Sequence, residues 1–400
     1  MGGMALVGVA TLIANVLSYL LSMIAARVLL PAEFGAFGAL TGVFIIVSTT
    51  ALAMQLLAAR HATLQNDSDE SGAQLVRLST YLAVALVAIG LVASIPLAAL
   101  LATPYLALVL TFGAAAAYLI GYAPMGIAQG LERHVQLSWA FLANIGGRAV
   151  VGIAFVLVMR SVTGVSLGIF IGCLIGAAVS YRLCSWKAWS RAWGKEYLPE
   201  FGHMLHALLV LFTLTNIDVI LARVFLNEDL SGEYSVGVLL AKVAFFLPSS
   251  IIIVLFPKMT SENSRRALLA ASGLTAVIGI AVTLGSLLFG TLAARILGGA
   301  QYTELGSEMW LFALEGSAFA LVQVLLYAKL AAEDKSAALL VWIALIVMAG
   351  VIVFWRHNSV LEIVSTVVVV SLVLTVVGLV WDLRGSTDED SQLPPIEVAE

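Results

Sequence analysis

Residues 216–258 read NIDVILARVFLNEDLSGEYSVGVLLAKVAFFLPSSIIIVLFPK. Two apolar helical runs flank a short acidic turn at residues 227–233, and the second run closes on Phe256-Pro257-Lys258. Two charges, Asp218 and Lys242, interrupt runs otherwise fit for hydrocarbon. An ionisable residue in such a segment is costly and marks a candidate functional position.

The rest of the chain extends the pattern. Its 400 residues are 61% hydrophobic and 11% charged, too little polarity to clothe a water-soluble surface, so the chain reads as an all-α integral membrane protein. Apolar runs of about 20 residues, the length that spans a bilayer, fall at 5–25, 35–59, 78–101, 105–128, 137–159 and 164–181. After a polar linker come 203–226, 234–256, 267–290, 310–330, 337–355 and 360–381. The expectation is about twelve transmembrane helices, with domain limits at 1–184, 185–202, 203–384 and 385–400. The net charge of −4 arises largely from local patches and the acidic 385–400 tail, read as disordered, and points to no nucleic acid. Cys173 and Cys184 show neither disulfide nor metal spacing and read as packing residues.

Lys and Arg concentrate in alternate loops. With a cytoplasmic amino terminus, thirteen fall inside, among them Arg60, Arg133, Lys195 and Arg266, against five outside: Arg27, Arg160, Arg223, Arg295 and Arg356. Both termini are therefore expected in the cytoplasm. In the linker, Trp186, Trp189 and Trp193 recur at helical spacing beside Lys187, Arg191 and Lys195, as in a helix lying in the inner headgroup layer against anionic lipid.

A duplication is visible on either side of that linker. ARVLLPAEFGAF (residues 26–37) follows the first span and ARVFLNEDLSGEY (residues 222–234) follows the seventh. Six spans separate the copies, so the halves share one orientation and would form two six-helix lobes related by a pseudo-two-fold along the membrane normal. Two such lobes suit alternating access.

The stretch 216–258, with N-x-D-x-x-L-A-R, an acidic turn ending in Gly-x-Tyr and a helix closing on Phe-Pro, resembles the polysaccharide flippases of the multidrug/oligosaccharidyl-lipid/polysaccharide exporter superfamily. RVLLPAEFGAF (27–37), Gln129-Gly130-Leu131-Glu132-Arg133 and the G-x-x-Y before the tenth span are similar to other segments of that family, in the same order. The resemblance covers nearly the whole chain. It implies two lobes around a central cavity and movement of a lipid-linked sugar from the cytoplasmic to the outer leaflet of a bacterial or archaeal cytoplasmic membrane. Members often carry two further carboxy-terminal helices, whereas twelve are read here.

A polyprenyl pyrophosphate bearing an oligosaccharide needs cations and hydroxyl partners facing a wet cavity. Arg148 lies mid-span in the fifth run, one turn after Asn144 and beside Gly146-Gly147; with Lys242 these are the candidate cavity residues, although an arginine bonded to helix carbonyls would show the same pattern. Asp218 and Lys242 each lie about eight residues from the outer ends of neighbouring antiparallel runs, so they can pair, either as a gate or protonation switch or as a static brace. Glu315, beside Gly316-Ser317, is a candidate proton or sodium coupling site. Pro248 is expected to kink its helix. Asn15, Gln55, Asn216 and Gln323 read as helix-to-helix hydrogen-bonding residues, and Glu33 as a cap.

Catalysis has no support. P-loop, HExxH, GxSxG and metal-cluster patterns are absent, and the five histidines have no carboxylate at recognisable spacing. No cofactor is expected. Partners would be the lipid-linked oligosaccharide, membrane lipids, a coupling proton or sodium ion, and other polysaccharide-assembly proteins recruited by the tail. The alternatives are a cation-coupled multidrug exporter, which prefers acids in its cavity, and a peptidoglycan-precursor flippase.

Overall fold

The computed structural model describes residues 2–64, 69–184, 194–259, 264–331 and 336–390. They form α-helices joined by short turns, with no strand among the described residues. The first half holds α1 (Gly2–Val28), α2 (Pro31–Leu64), α3 (Asp69–Leu100), α4 (Tyr105–Gly130), α5 (His134–Phe141), α6 (Gly147–Met159) and α7 (Val162–Leu183). The second holds α8 (Leu198–Leu214), α9 (Ile217–Phe225), α10 (Glu228–Met259), α11 (Ser264–Leu297), α12 (Met309–Ala331), α13 (Ser336–Phe354) and α14 (Val360–Asp390). Helices dominate because a bilayer leaves no water to satisfy backbone N–H and C=O groups, so each segment must bond internally.

Among the described residues, eleven helical runs are long and apolar enough to cross a membrane, and Leu339–Phe354 is a shorter twelfth. They coincide one for one with the twelve runs read from hydropathy. Several exceed the bilayer core: α2 has 34 residues, about 50 Å of helix against a hydrocarbon layer of about 30 Å. The helix expected around Trp186, Lys187, Trp189, Arg191 and Trp193 falls outside the described residues, which resume at Gly194 and a 3-10 turn, Lys195–Tyr197. The first six residues of the acidic stretch continue α14, and residues 391–400 lie outside the described set.

Two spans depart from the uninterrupted helices that hydropathy suggests. The seventh breaks at Thr215-Asn216. Thr215 Oγ1 donates to Leu211 O at 3.1 Å and Asn216 Nδ2 to Phe212 O at 3.0 Å, so side chains satisfy the last carbonyls of α8. Asn216 then leaves the helical region (φ −141°, ψ −3°) and α9 begins, with Asp218 in its first turn at the positive end of the helix dipole. The fifth span contains a π turn, Leu142–Gly146, between α5 and α6. One extra residue per turn rotates everything before it relative to everything after it.

The chain packs as two compact units. The first comprises the described residues of Met1–Leu239, Arg295–Tyr302 and Asn358–Val360; the second those of Leu240–Ala294, Thr303–His357 and Leu361–Glu400. In the first, α4 crosses α2 closely because Gly126 and Gly130 bring the α4 backbone against the carbonyls of Gln55 and Ala59. Buried Gln55 donates to Gln129 across the same pair at 2.8 Å. In the second, Gly316 of α12 lies directly on the backbone of Ala241 in α10.

Candidate functional site

A polar site lies within the first unit and centres on Arg148. Its position follows from a glycine ladder on α7. Gly168, Gly172 and Gly176 are four apart on one face, where a Cβ at 172 would fall 2.5 Å from Arg148 Cα and one at 176 would fall 2.7 Å from Asn144 Cα. The backbone of α6 and the preceding π turn therefore rests directly on α7, as small residues permit in membrane helices. Arg148 projects from this contact toward α1, α2 and α4.

The guanidinium is held on aromatic faces. Its carbon is 5.0 Å from the Phe44 ring centroid and 5.5 Å from that of Tyr118. Phe44 meets Tyr118 edge-on at 5.3 Å, and Tyr118 stacks on Tyr122 at 4.9 Å, which braces the arrangement. A desolvated cation–π contact contributes up to about 2 kcal/mol. Arg148 Nη2 donates to Ser18 Oγ at 3.1 Å. Its buried Nε has no acceptor among the described residues. A buried donor without an acceptor costs about 1–3 kcal/mol.

The guanidinium borders a cavity of about 50 Å³ rimmed by Ser18, Ser22, Thr41, Thr111 and Ser166. Four of these hydroxyls, on Ser22, Thr41, Thr111 and Ser166, donate back to carbonyls of their own helices. Each of these hydroxyls keeps a lone pair that can accept a further hydrogen bond. The site is thus one cation, two aromatic faces and a hydroxyl rim.

Asn144 does not join Arg148 there. The π turn between them carries Asn144 to the α4 and α7 side, where it is fully buried. Its Nδ2 lies 2.9 Å from Ala140 O and 3.2 Å from Gly176 O, and it is also within reach of Ser180 Oγ. Asn144 therefore fastens the π turn to α7. Asp218 is buried, and its Oδ2 accepts from Tyr234 of α10 at 2.9 Å. Lys242 is half-buried on α10. Glu315 is buried on α12 beside Gly316. Glu33 does act as a cap, though for another helix: it accepts from Val162 N at the start of α7. Asn15 is exposed; Gln55 is buried and bonds to another helix as expected, whereas buried Asn216 bonds locally to Phe212 O at the end of α8 and not to a separate helix.

Sequence reasoning left two features unread. The α7 glycines were in plain view as a G-x-x-x-G-x-x-x-G run. The carboxylate partner of His61 was not: Glu200, at the start of α8, binds His61 at 2.8 Å and Arg60 at 2.9 Å. The Tyr197 ring packs on His61 at 4.8 Å. A separation of 139 residues leaves no spacing signal.

The family model described as polysaccharide biosynthesis protein matches residues 2–264. No curated protein sequence matches the chain. Among solved structures, an inward-facing multidrug resistance MATE family transporter of the MOP superfamily superposes with a TM-score of 0.80 at 12% identity, over 96% of this chain and 100% of its own. The lipid II flippase MurJ in an inward closed conformation gives 0.75 at 12% identity, over 95% of this chain and 87% of its own. A MOP superfamily transporter from Pyrococcus furiosus gives 0.61 at 14% identity, over 96% of this chain and 95% of its own. At these identities the structures establish the fold alone. Matched over more than half its length, the chain belongs to the polysaccharide biosynthesis protein family, as a multi-pass membrane protein with the fold of the MOP superfamily transporters.

Proposed function

We propose that this protein is a flippase that moves a polyprenyl-pyrophosphate-linked oligosaccharide from the inner to the outer leaflet of the cytoplasmic membrane. Residues 1–184 and 203–384 act as two lobes that alternate access, and both termini face the cytoplasm. The observation that carries the reading is Arg148, a cation with a buried, acceptor-free Nε at a hydroxyl-rimmed cavity, in a chain of a polysaccharide biosynthesis family. A pyrophosphate or sugar oxygen supplies the missing acceptor, and sugar hydroxyls donate to the rim. Lys242 serves as a second cation for the head group. Asp218 and Glu315 serve as the gating or coupling acids, with a proton or sodium ion as the coupled species.

A cavity built for organic cations would place carboxylates where Arg148 stands. The test is transport in vesicles holding purified protein, with a polyprenyl-pyrophosphate oligosaccharide or a cationic dye offered in parallel. Transfer of the lipid-linked glycan that is lost in Arg148→Gln supports the proposal. Dye export without glycan transfer replaces it with the exporter reading, and transfer confined to a peptidoglycan precursor changes the cargo.

A further inference from the structure

The duplication at residues 26–37 and 222–234 has a companion at the ends of α3 and α11. Residues 100–105 read LLATPY and residues 297–302 read LGGAQY. In both, the third residue turns left-handed: Ala102 at φ 44° and Gly299 at φ 105°. In the first corner, Leu101 N and Thr103 N bond back to Leu97 O at 2.9 Å and Ala98 O at 3.1 Å. In the second, Gly299 N bonds to Arg295 O at 3.1 Å. Both helices thus end on a left-handed third residue, though their closing backbone bonds differ.

The arginine of each A-R-V copy reaches the corner of the other half. Arg223 lies at the end of α9 and is 7% exposed. Its Nε donates to Leu101 O and its Nη2 to Ala102 O, both at 2.9 Å. Its Nη1 spans Ala32 O at 3.2 Å and Ser231 Oγ at 3.1 Å. Arg27, at the end of α1, donates to Ile296 O at the end of α11 and to Met23 O of its own helix. A guanidinium on the last carbonyls of a helix satisfies orphan acceptors and complements the negative end of the dipole. Between the two arginines the starts of α2 and α10 touch backbone to backbone, Gly35 against Ser231 and Gly232, and Gly232 against Pro31 O. Gln301 adds a bond to Ala26 O at 2.8 Å.

We infer that Arg223 and Arg27 form a duplicated latch that holds this end of the two sequence halves together, and that opening it to the outside requires both to leave their helix-end carbonyls. The inference rests on the alternating-access reading above. The two arms are unequal: Arg223 is buried with four acceptors, whereas Arg27 is exposed with two. Lysine, a point donor, cannot bridge Leu101 and Ala102 as the planar fork does.

The test uses thiol accessibility in intact cells. Ser235, 3% exposed on α10 and in contact with Gly38 of α2, lies beneath the latch. A membrane-impermeant maleimide added outside reports opening in Ser235→Cys. Leu30→Cys, at a position 72% exposed, is the always-open control, and native Cys173, fully buried, reports unfolding. Labelling at position 235 is expected to rise at least roughly tenfold in Arg223→Gln, the factor that corresponds to ~1.4 kcal/mol. The rise is expected to be smaller in Arg27→Gln and only partly reversed in Arg223→Lys. An unchanged rate in both glutamine variants, with position 30 labelled in full, overturns the latch. If Cys173 becomes labelled in Arg223→Gln, the exposed Arg27→Gln decides alone: a faster rate supports the latch and an unchanged one overturns it. Faster labelling only from the cytoplasmic side keeps the latch and refutes the proposed orientation. Faster labelling in a protein that moves no lipid-linked glycan keeps the latch and refutes the cargo.

Discussion

Replacing Gly172 by alanine tests how Arg148 is positioned. An added Cβ lies 2.5 Å from Arg148 Cα and 3.0 Å from both Arg148 N and Gly147 O. All three are backbone atoms that cannot swing aside. Unstrained carbon contacts sit at about 3.5–4.0 Å, so α6 and α7 must separate by roughly an ångström along the ladder from Gly168 to Gly176. Overpacking of this kind costs about 1–3 kcal/mol, and the helix-propensity gain of alanine over glycine returns about 0.5–1 kcal/mol. The expected net loss is ~1–2 kcal/mol, with the Arg148 backbone displaced from its seat on α7 and transport reduced accordingly. Gly147→Ala is the matched control, because nothing lies within 4 Å of its added Cβ; it is expected to be neutral or stabilising by up to ~1 kcal/mol. Thermal unfolding of both purified variants in one detergent, beside the parent, reads the difference. Equal melting temperatures for the two variants, or a rise in Gly172→Ala, would refute the packing argument.

Other substitutions separate binding from bracing. In Arg148→Gln, the lost Ser18 bond and aromatic contacts, about 2–5 kcal/mol together, are offset by removal of a buried unsatisfied donor and of a desolvated charge; melting is expected to shift by only a few degrees while glycan transfer is abolished. A parallel collapse of stability and transport would make Arg148 structural instead. Tyr234→Phe removes a hydroxyl 2.9 Å from buried Asp218 and is expected to lower stability by ~1–3 kcal/mol, measured by denaturation; an unchanged curve would show that this bond contributes nothing. For Asp218→Ala and Lys242→Ala, transport in a double-mutant cycle distinguishes the two roles. A double variant less impaired than either single indicates a static pair, and one as inactive as both indicates direct roles for each.

Much of the architecture was legible because a bilayer imposes one rule on every span. Each of the twelve apolar runs became helical, several extending well beyond the hydropathy limits and the seventh dividing into α8 and α9, and the A-R-V duplication marked the turns after α1 and α9. The break at Thr215-Asn216 was hidden because LFTLTNIDVI stays apolar and helix-compatible on both sides; the interruption depends on side chains bonding the preceding carbonyls. The π turn was hidden for a related reason. Residues 142–146, LANIG, have no composition that distinguishes a five-residue hydrogen-bond step from a four-residue one. That single residue separates Asn144 from Arg148, which an ideal helix would place on one face. Arg148 itself was legible from its cost in hydrocarbon, but its aromatic rack was not, since Phe44 and Tyr118 lie far away in sequence. His61 and Glu200 meet only through the packing of α2 on α8. Glu33 was correctly read as a cap, and only the fold shows that the capped helix is α7.

The most direct measurement of the central claim is mass analysis of lipid-linked glycans in cells depleted of this protein, with a leaflet-accessibility assay on whatever accumulates. The account predicts a polyprenyl-pyrophosphate oligosaccharide trapped on the cytoplasmic face and released by the parent protein but not by Arg148→Gln. Cells that accumulate no such intermediate, and instead become sensitive to cationic drugs, would contradict it.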